Sequence, residues 1–305
     1  MLNPSMRRAR FSTSIQTEVK KHTKNLLNLY NQPSSLILSR GKGSVLYDTA
    51  GKKYLDFNAG IAVNALGHGD AGVVAEIADQ AAKLIHISNL YHNEYAGPLA
   101  TAICDAIIPK DNWKDHKVFF SNSGTEANEA AIKFCRKYAK YTFPDKAQKV
   151  DVLSFGGAFH GRTFGSLSAT HTAKYQTPFF PLLSGFKAAP FNDTSAALSA
   201  ITDNVCAVLV EPIQGEGGIH PATNDFLAAV RKQCDLVGAL LVADEIQCGL
   251  GRSGSIFAYQ KTGIVPDVLT LVDISFFTVG KAFSKWLSPW SNDYWWESCK
   301  CNQTR

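Results

Sequence analysis

The chain has 305 residues, 45% of them hydrophobic and 19% charged, enough apolar material for one large or two ordinary domains. That composition excludes disordered, collagen-like and disulfide-scaffold classes. The formal charge of +5 gathers near the N-terminus in Arg7, Arg8, Arg10, Lys20, Lys21 and Lys24, so the rest of the chain carries no nucleic-acid footprint.

Residues 1–15 hold three arginines and several hydroxyls, and no acid occurs before Glu18, which is the composition of a mitochondrial transit peptide. A disordered basic start is the alternative. The spacing then predicts a hairpin between Gly43 and Gly60, with strands Val45–Asp48 and Lys53–Phe57 around the turn Thr49–Lys52. Helices are predicted over Asp70–Ile87 and Gly97–Ile108, the second ending before Pro109. From there strands alternate with helices. The strands are Lys117–Phe120, Val150–Ser154, Val205–Val210 and Ala239–Asp244, and the helices Thr125–Tyr138 and Asp225–Gly238. Strands apolar on both faces and separated by helices imply an α/β fold with a mostly parallel sheet, whose ligands bind at the carboxyl ends of the strands.

The seven cysteines form no CxxC pair and read as reduced thiols of an intracellular protein, with no metal site expected. No apolar run reaches membrane-spanning length.

Four segments at strand ends carry candidate chemistry. Ser121-Asn122-Ser123-Gly124-Thr125 runs straight into a helix, whose N-terminal N–H groups suit a phosphate. The alternative is a plain Ser/Thr cap with Glu126 or Glu129 in the first turn. Gly156 to Thr163 places Phe159 to stack on a flat ring and Arg162 to clamp a carboxylate. His160 in the same loop reads equally as a satisfied structural histidine or a catalytic one. Glu211 to Gly218 brings two acids and three glycines to a third strand end. The fourth, Asp244-Glu245-Ile246-Gln247, places an aspartate at the end of a buried strand, which is costly unless it meets a cation or strong donors. Gly249 to Gly254 also matches the dinucleotide fingerprint G-x-G-x-x-G, with Asp267 near the expected acid position. The following SIFAYQKTG is too short for a crossover helix, which argues against that reading.

Together SNSGTEANEAAIKF, SFGGAFHGRTFGSLSAT, VEPIQGEGG and ADEIQCGLGRSG, with the earlier LDFNAGIAVNALGHG, resemble the class III aminotransferases in order and spacing, over roughly residues 20 to 271. Within that family they look most like the acetylornithine branch. The resemblance implies a type I aminotransferase large domain over 86–271, with 16–85 contributing to a small domain that is otherwise largely missing. It implies pyridoxal 5′-phosphate as cofactor, a small-molecule amino donor and 2-oxo acid as partners, and a homodimer. The reaction implied is transfer of an amino group between N-acetylornithine and 2-oxoglutarate in mitochondrial arginine synthesis, with ornithine aminotransferase as the rival. Ser123, Gly124 and Thr125 would hold the phosphate, and Phe159 would stack on the pyridine. Asp244 would pair with the ring nitrogen and Gln247 with the phenolic side. Arg162 would bind the substrate α-carboxylate, and Glu216 would help switch between amino donors.

The tail departs from the family. Asp273 stands where the lysine that forms the Schiff base is expected, and Gly280-Lys281-Ala282-Phe283 gives the lysine motif eight residues later, which makes Lys281 the candidate. Removing a piece such as Leu271–Thr278 would restore the family's spacing. Residues 272–305 hold four of the five tryptophans and read as an aberrant tail. They raise the expectation of a non-catalytic chain with an unpaired sheet edge.

Overall fold

The computed structural model describes residues 15–27, 29–88, 90–107 and 116–272, together with a strand at Phe276–Val279. Asp273 and Lys281 lie outside the described residues. The chain divides into two compact units, residues 1–91 and 92–305.

In the first unit, residues 15–23 are helical (α1). The expected hairpin is present as β2 (Val45–Asp48) and β3 (Lys53–Leu55), and it gains an unpredicted antiparallel neighbour, β1 (Leu38–Lys42). The turn is built on Asp48, whose Oδ1 accepts the N–H groups of Ala50 and Lys52 at 2.9 and 2.8 Å, while Gly51 takes the positive φ that a side chain resists. Helix α2 (Ala71–Lys83) is capped by Asp70 and stops four residues short of the predicted end.

The second unit begins with α3 (Ala96–Ile107) and β4 (Lys117–Phe120). It continues through α4 (Gly124–Thr142), β5 (Asp151–Phe155), α5 (Phe164–Ala169), α6 (Ala173–Gln176) and β6 (Phe186–Ala189). Then follow α7 (Thr194–Ala200), β7 (Val205–Val210), the short pair β8 (Ile213–Gln214) and β9 (His220–Pro221), and α8 (Asn224–Val237). Last come β10 (Leu240–Asp244), β11 (Val268–Leu271) and β12 (Phe276–Val279). The main sheet has the order β4-β12-β11-β10-β7-β5-β6. All its strands run parallel except β12, so the expected mostly parallel α/β architecture is present.

Alternation along the central strands explains why they are apolar throughout. Val152, Ala207, Leu209, Leu240 and Val242 pack with Ala127, Ala131, Ile132 and Cys135 of α4 on one face. Leu153, Phe155, Val208, Val210 and Leu241 pack with Phe226, Leu227 and Val230 of α8 on the other. Strands β6, β11 and β12 were not anticipated from the sequence. The unpaired edge expected of an incomplete sheet does not fall at β11, because the backbone of β12 lies antiparallel between β11 and β4 and the outer strands are β4 and β6. A strand in the segment read as an aberrant tail meets the hydrogen-bonding groups that β11 would otherwise leave open.

At the opposite end of the strands from their carboxyl termini, the buried Lys149 donates from Nζ to three carbonyl oxygens. These belong to Asp203 (3.0 Å), Val205 (2.8 Å) and Val237 (2.8 Å), so one ammonium ties the start of β7 to the end of α8. Replacing Lys149 with Met keeps the stem but strands those acceptors. The expected loss is about 2–4 kcal/mol, read as a lower urea midpoint at unchanged m-value. An unchanged midpoint overturns the clamp.

Candidate active site

The ends of β5, β7 and β10, adjacent in the sheet, meet the N-terminus of α4, and the centre of that meeting is Asp244. It is 2% exposed at the last position of β10. Its Oδ2 accepts Nδ2 of Asn128 at 2.8 Å and faces Nδ1 of His160 at 2.7 Å, and its Oδ1 accepts the Ile246 N–H at 3.1 Å. A carboxylate oxygen only accepts, so His160 Nδ1 is the donor there. Asn128 Nδ2 also holds the His160 carbonyl at 2.8 Å, and the His160 N–H is held by Thr170 Oγ1 at 2.9 Å, which locks the loop under the carboxylate. The open choice for His160 thus acquires a partner, although its Nε2 has none.

A carboxylate has room for about four donors, and Oδ1 of Asp244 has taken one. Beside it, His160 Nε2, Asn128 Oδ1 and Thr270 Oγ1 are buried without hydrogen-bond partners among the described residues, Thr270 standing opposite Asp244 in the β10–β11 register. Buried polar atoms that the chain itself does not satisfy mark a place for another group. An aromatic cation offering one N–H to Asp244 fits this donor and acceptor set.

Glu211, just past β7, is 4% exposed. Its Oε2 accepts the Phe159 N–H at 3.1 Å and its Oε1 the Gly215 N–H at 3.2 Å. Gln214 donates to the Gly156 carbonyl at 3.0 Å. The loops after β5 and β7 are therefore pinned to each other. Phe159 is half-buried and meets the ring of Tyr175 edge-on at 5.9 Å, and the Tyr175 hydroxyl donates to Glu216 Oε1 at 2.8 Å. The Arg162 guanidinium lies 5.7 Å from the Phe159 ring centre and 5.3 Å from that of Tyr175. Phe159, Arg162 and Glu216, singled out separately in the sequence, form one cluster with Tyr175 as the link.

At the start of α4, Ser123 is the cap residue: its Oγ accepts the Glu126 N–H at 3.3 Å, while Glu126 reaches back to the Asn122 N–H at 2.6 Å. The capping reading therefore holds for the Ser123 oxygen, whose own O–H stays available as a donor. Thr125 Oγ1 accepts the N–H groups of Arg162 (3.2 Å) and Thr163 (3.3 Å) and pairs with Thr163 Oγ1 (3.0 Å). What Thr125 and Gly124 offer an anion is therefore the unpaired N–H groups of a helix's first turn. A side chain on Gly124 would come 2.8 Å from Val272 Cγ2 and 2.9 Å from Ile246 Cδ1, so this glycine lets the helix end approach the ends of β10 and β11. Gly161, at φ +128°, sits so close to Thr125 that any side chain would collide with its hydroxyl. Gln247 is exposed on the turn after β10, beside Gly215.

Sequence reasoning missed Asn128, Thr170, Gln214 and Tyr175. Asn128 had a signal, an amide lying on the helix stripe that otherwise reads Ala127, Ala131, Ile132 and Cys135. Tyr175 had none. The dinucleotide reading fails structurally: Gly249–Gly254 is a series of turns leading to a single 3-10 turn at Ala258–Lys261. Asp267, its supposed ribose acid, instead accepts Arg231 Nη1 at 2.7 Å and the Leu241 N–H at 2.8 Å.

A sequence profile described as aminotransferase class-III matches residues 28–283, a stretch that includes Lys281. The chain is 47% identical over 262 residues to the mitochondrial acetylornithine aminotransferase of Yarrowia lipolytica, covering 86% of this chain and 61% of that protein. It is 49% identical over 242 residues to the succinylornithine transaminase of Yersinia pseudotuberculosis, covering 78% of this chain and 57% of that one. In fold it is similar to the ornithine aminotransferase of Toxoplasma gondii, a structure described with partial occupancy of pyridoxal phosphate (PLP) at its active site. There the TM-score is 0.79 at 26% identity, over 92% of this chain and 67% of that one. The chain thus spans about six-tenths of the length of these curated relatives.

Burial pushes the Glu211 carboxyl up to about 7 from 4.5; nearby His160 opposes the rise and Asp244 adds to it. The folded chain therefore holds this proton more tightly than the unfolded one. The contribution to stability is complete below about 4.5 and is lost as pH rises through about 7. Glu211→Gln removes it, so wild-type stability should fall relative to the variant by up to about 1.4 kcal/mol per pH unit across that window. Urea midpoints for both proteins from about pH 5 to about pH 8 measure this. Parallel curves would show that Glu211 does not titrate there.

Proposed function

The chain belongs to the class-III aminotransferases, and we propose that it binds pyridoxal 5′-phosphate and transfers the amino group of N-acetylornithine to 2-oxoglutarate, in either direction, within arginine synthesis. The observation that carries this reading is the buried Asp244 carboxylate, braced by Asn128, His160 and the Ile246 N–H, with acceptor capacity left for a protonated ring nitrogen. The first-turn N–H groups of Gly124 and Thr125, with the Ser123 hydroxyl, would hold the phosphate. Phe159 would stack on the ring, and Gln247 would face its phenolic oxygen. When bound, this cofactor supplies an aldehyde that captures amines and a ring that withdraws electrons from the substrate carbon.

The residues of the chain do the rest. Asp244 keeps a proton on the ring nitrogen by offering a carboxylate in a dry site. Arg162 binds the substrate carboxylate in two-point geometry. Glu216 discriminates between amino donors. Lys281, placed by the family resemblance alone, supplies the amine that holds the cofactor and carries the proton at its Nζ.

The choice of N-acetylornithine follows the acetylornithine branch and the Yarrowia relative. The reading includes a homodimer, as the family resemblance implies. It also includes a mitochondrial matrix address, supported by the acid-poor, arginine-bearing residues 1–15 and tested by a reporter fused to them.

One preparation tests the chemistry. The full chain, loaded with PLP and reduced with borohydride, is expected to carry a single pyridoxyl adduct at Lys281, mapped by mass spectrometry. No adduct, or label spread over surface lysines, makes the chain non-catalytic. The unreduced loaded chain is expected to turn over N-acetylornithine faster than free ornithine. The reverse order assigns it to the ornithine branch.

A further inference from the structure

Tyr175 lies outside every motif that drew attention to the site, on a four-residue helix with no signature of its own. Its neighbours nevertheless include three of the site's side chains. Its hydroxyl donates to Glu216 Oε1 at 2.8 Å, its ring meets Phe159 edge-on at 5.9 Å, and the Arg162 guanidinium sits 5.3 Å from its ring centre. The positive charge of Arg162 favours the ionised phenol, opposite in sign to the effect of Glu216. Tyr175 thus holds the anion through its hydroxyl and faces the cation with its ring, the two groups that the proposed function uses to read an amino acid.

We propose that Tyr175 is a positioning residue for amino-donor recognition, its hydroxyl holding Glu216 and its ring setting Arg162 against Phe159. The proposal rests on the aminotransferase reading for its consequence and on the contacts alone for its geometry. Tyr175 touches no reacting atom in this account. It acts by fixing how Glu216 and Arg162 face the substrate, so a change at Tyr175 alters selection of the amino donor more than the chemical step.

Two observations support a device rather than incidental packing. Glu216 is exposed, and a carboxylate in water has little reason to keep one orientation unless a donor holds it. The loop bearing Glu216 is also anchored at its base, where the Gly215 N–H binds Glu211 and Glu211 binds the Phe159 N–H. Tyr175 therefore closes a ring that runs from Phe159 through Glu211, Gly215 and Glu216 back to Phe159. The phenol reflects its setting: the hydrogen bond to Glu216, with partial burial and the negative charge of Glu216, raises it, while Arg162 lowers it. Lys174, 5.4 Å from the ring centre, is the other charged group facing it among the described residues.

The test combines a double-mutant cycle with a cofactor-free titration of the full chain. Tyr175→Phe keeps the ring and removes the hydroxyl. In the loaded enzyme it is expected to raise KM for N-acetylornithine about tenfold, the scale of a hydrogen bond to a charged group, with kcat and PLP affinity within about twofold. In a Glu216→Ala background the same substitution should change KM by less than about twofold, because its partner is gone. Equal effects in both backgrounds, or a loss confined to kcat, overturn the proposal. Independently, tyrosine labelled at Cζ is titrated by NMR without cofactor, with the Tyr175 signal assigned through Tyr175→Phe. Its pKa should fall when Glu216 is replaced by Ala, and an unchanged value overturns the coupling whatever the activity. If the parent binds no PLP or turns over no ornithine-type donor, the functional reading fails, and the titration still decides whether Tyr175 holds Glu216.

Discussion

A carboxylate removed from water must be met by donors, and in this fold that requirement at Asp244 dictates how three separate segments come together. Asn128 reaches it from α4, His160 from the loop after β5, and the Ile246 N–H from the turn after β10 itself. None of the three is near another in sequence. Losing one leaves a charge in a site that is 2% exposed, which is why removing one member of such a set costs more than the set's net worth. The arrangement is stable enough to persist yet incomplete, with one acceptor direction and several neighbouring polar atoms unused. Incompleteness of that kind is tolerable where a bound group finishes the set.

The layer beneath the site supplies rigidity. Central strands apolar on both faces, sandwiched between α4 and α7–α8, leave the strand ends little freedom, so loops leaving them begin from fixed points. Lys149 serves the other end of the same strands by tying β7 to α8. Polar groups at both ends of an apolar slab thus constrain how it is assembled, one set structural and the other left open to a ligand.

Much of this was legible in the sequence because the signals were local. Val205–Val210 is a run of six apolar residues and Lys117–Phe120 a strand bounded by a loop, and both appear with the predicted bounds. The ends of α8 are set by Thr223 at its cap and by Gly238 in the left-handed conformation. What escaped was short or non-local. β6 and β11 have four residues each and no periodicity long enough to read, and β12 lies in a tail whose composition drew attention elsewhere. At the site, Asp244, Phe159, Arg162 and Glu216 announced themselves by residue type at strand ends. Tyr175 is a residue whose role exists only in space, since nothing in AKYQ says that its hydroxyl will meet a glutamate 41 positions away. Gly124 drew attention for a phosphate, and its missing side chain also makes room for Val272 and Ile246, which only the packing reveals.

The acids around the site show why residue type alone does not assign a role. Glu129 accepts the N–H groups of Gly165 and Ser166, Glu211 those of Phe159 and Gly215, and Glu245 those of Ala258 and Tyr259. Each braces backbone donors, of a loop or of a helical first turn, that no strand or helix bond satisfies. Asp244, the last residue of β10, and Glu245, just past it, are both buried, yet they divide these tasks because successive side chains of an extended chain point to opposite faces. Glu245, turned one way, is consumed by the turn at Ala258 and Tyr259. Asp244, turned the other, takes a single backbone N–H and two side-chain donors, which leaves it one acceptor direction for an incoming cation. Unspent capacity, rather than charge or burial, is what sets Asp244 apart from these bracing carboxylates.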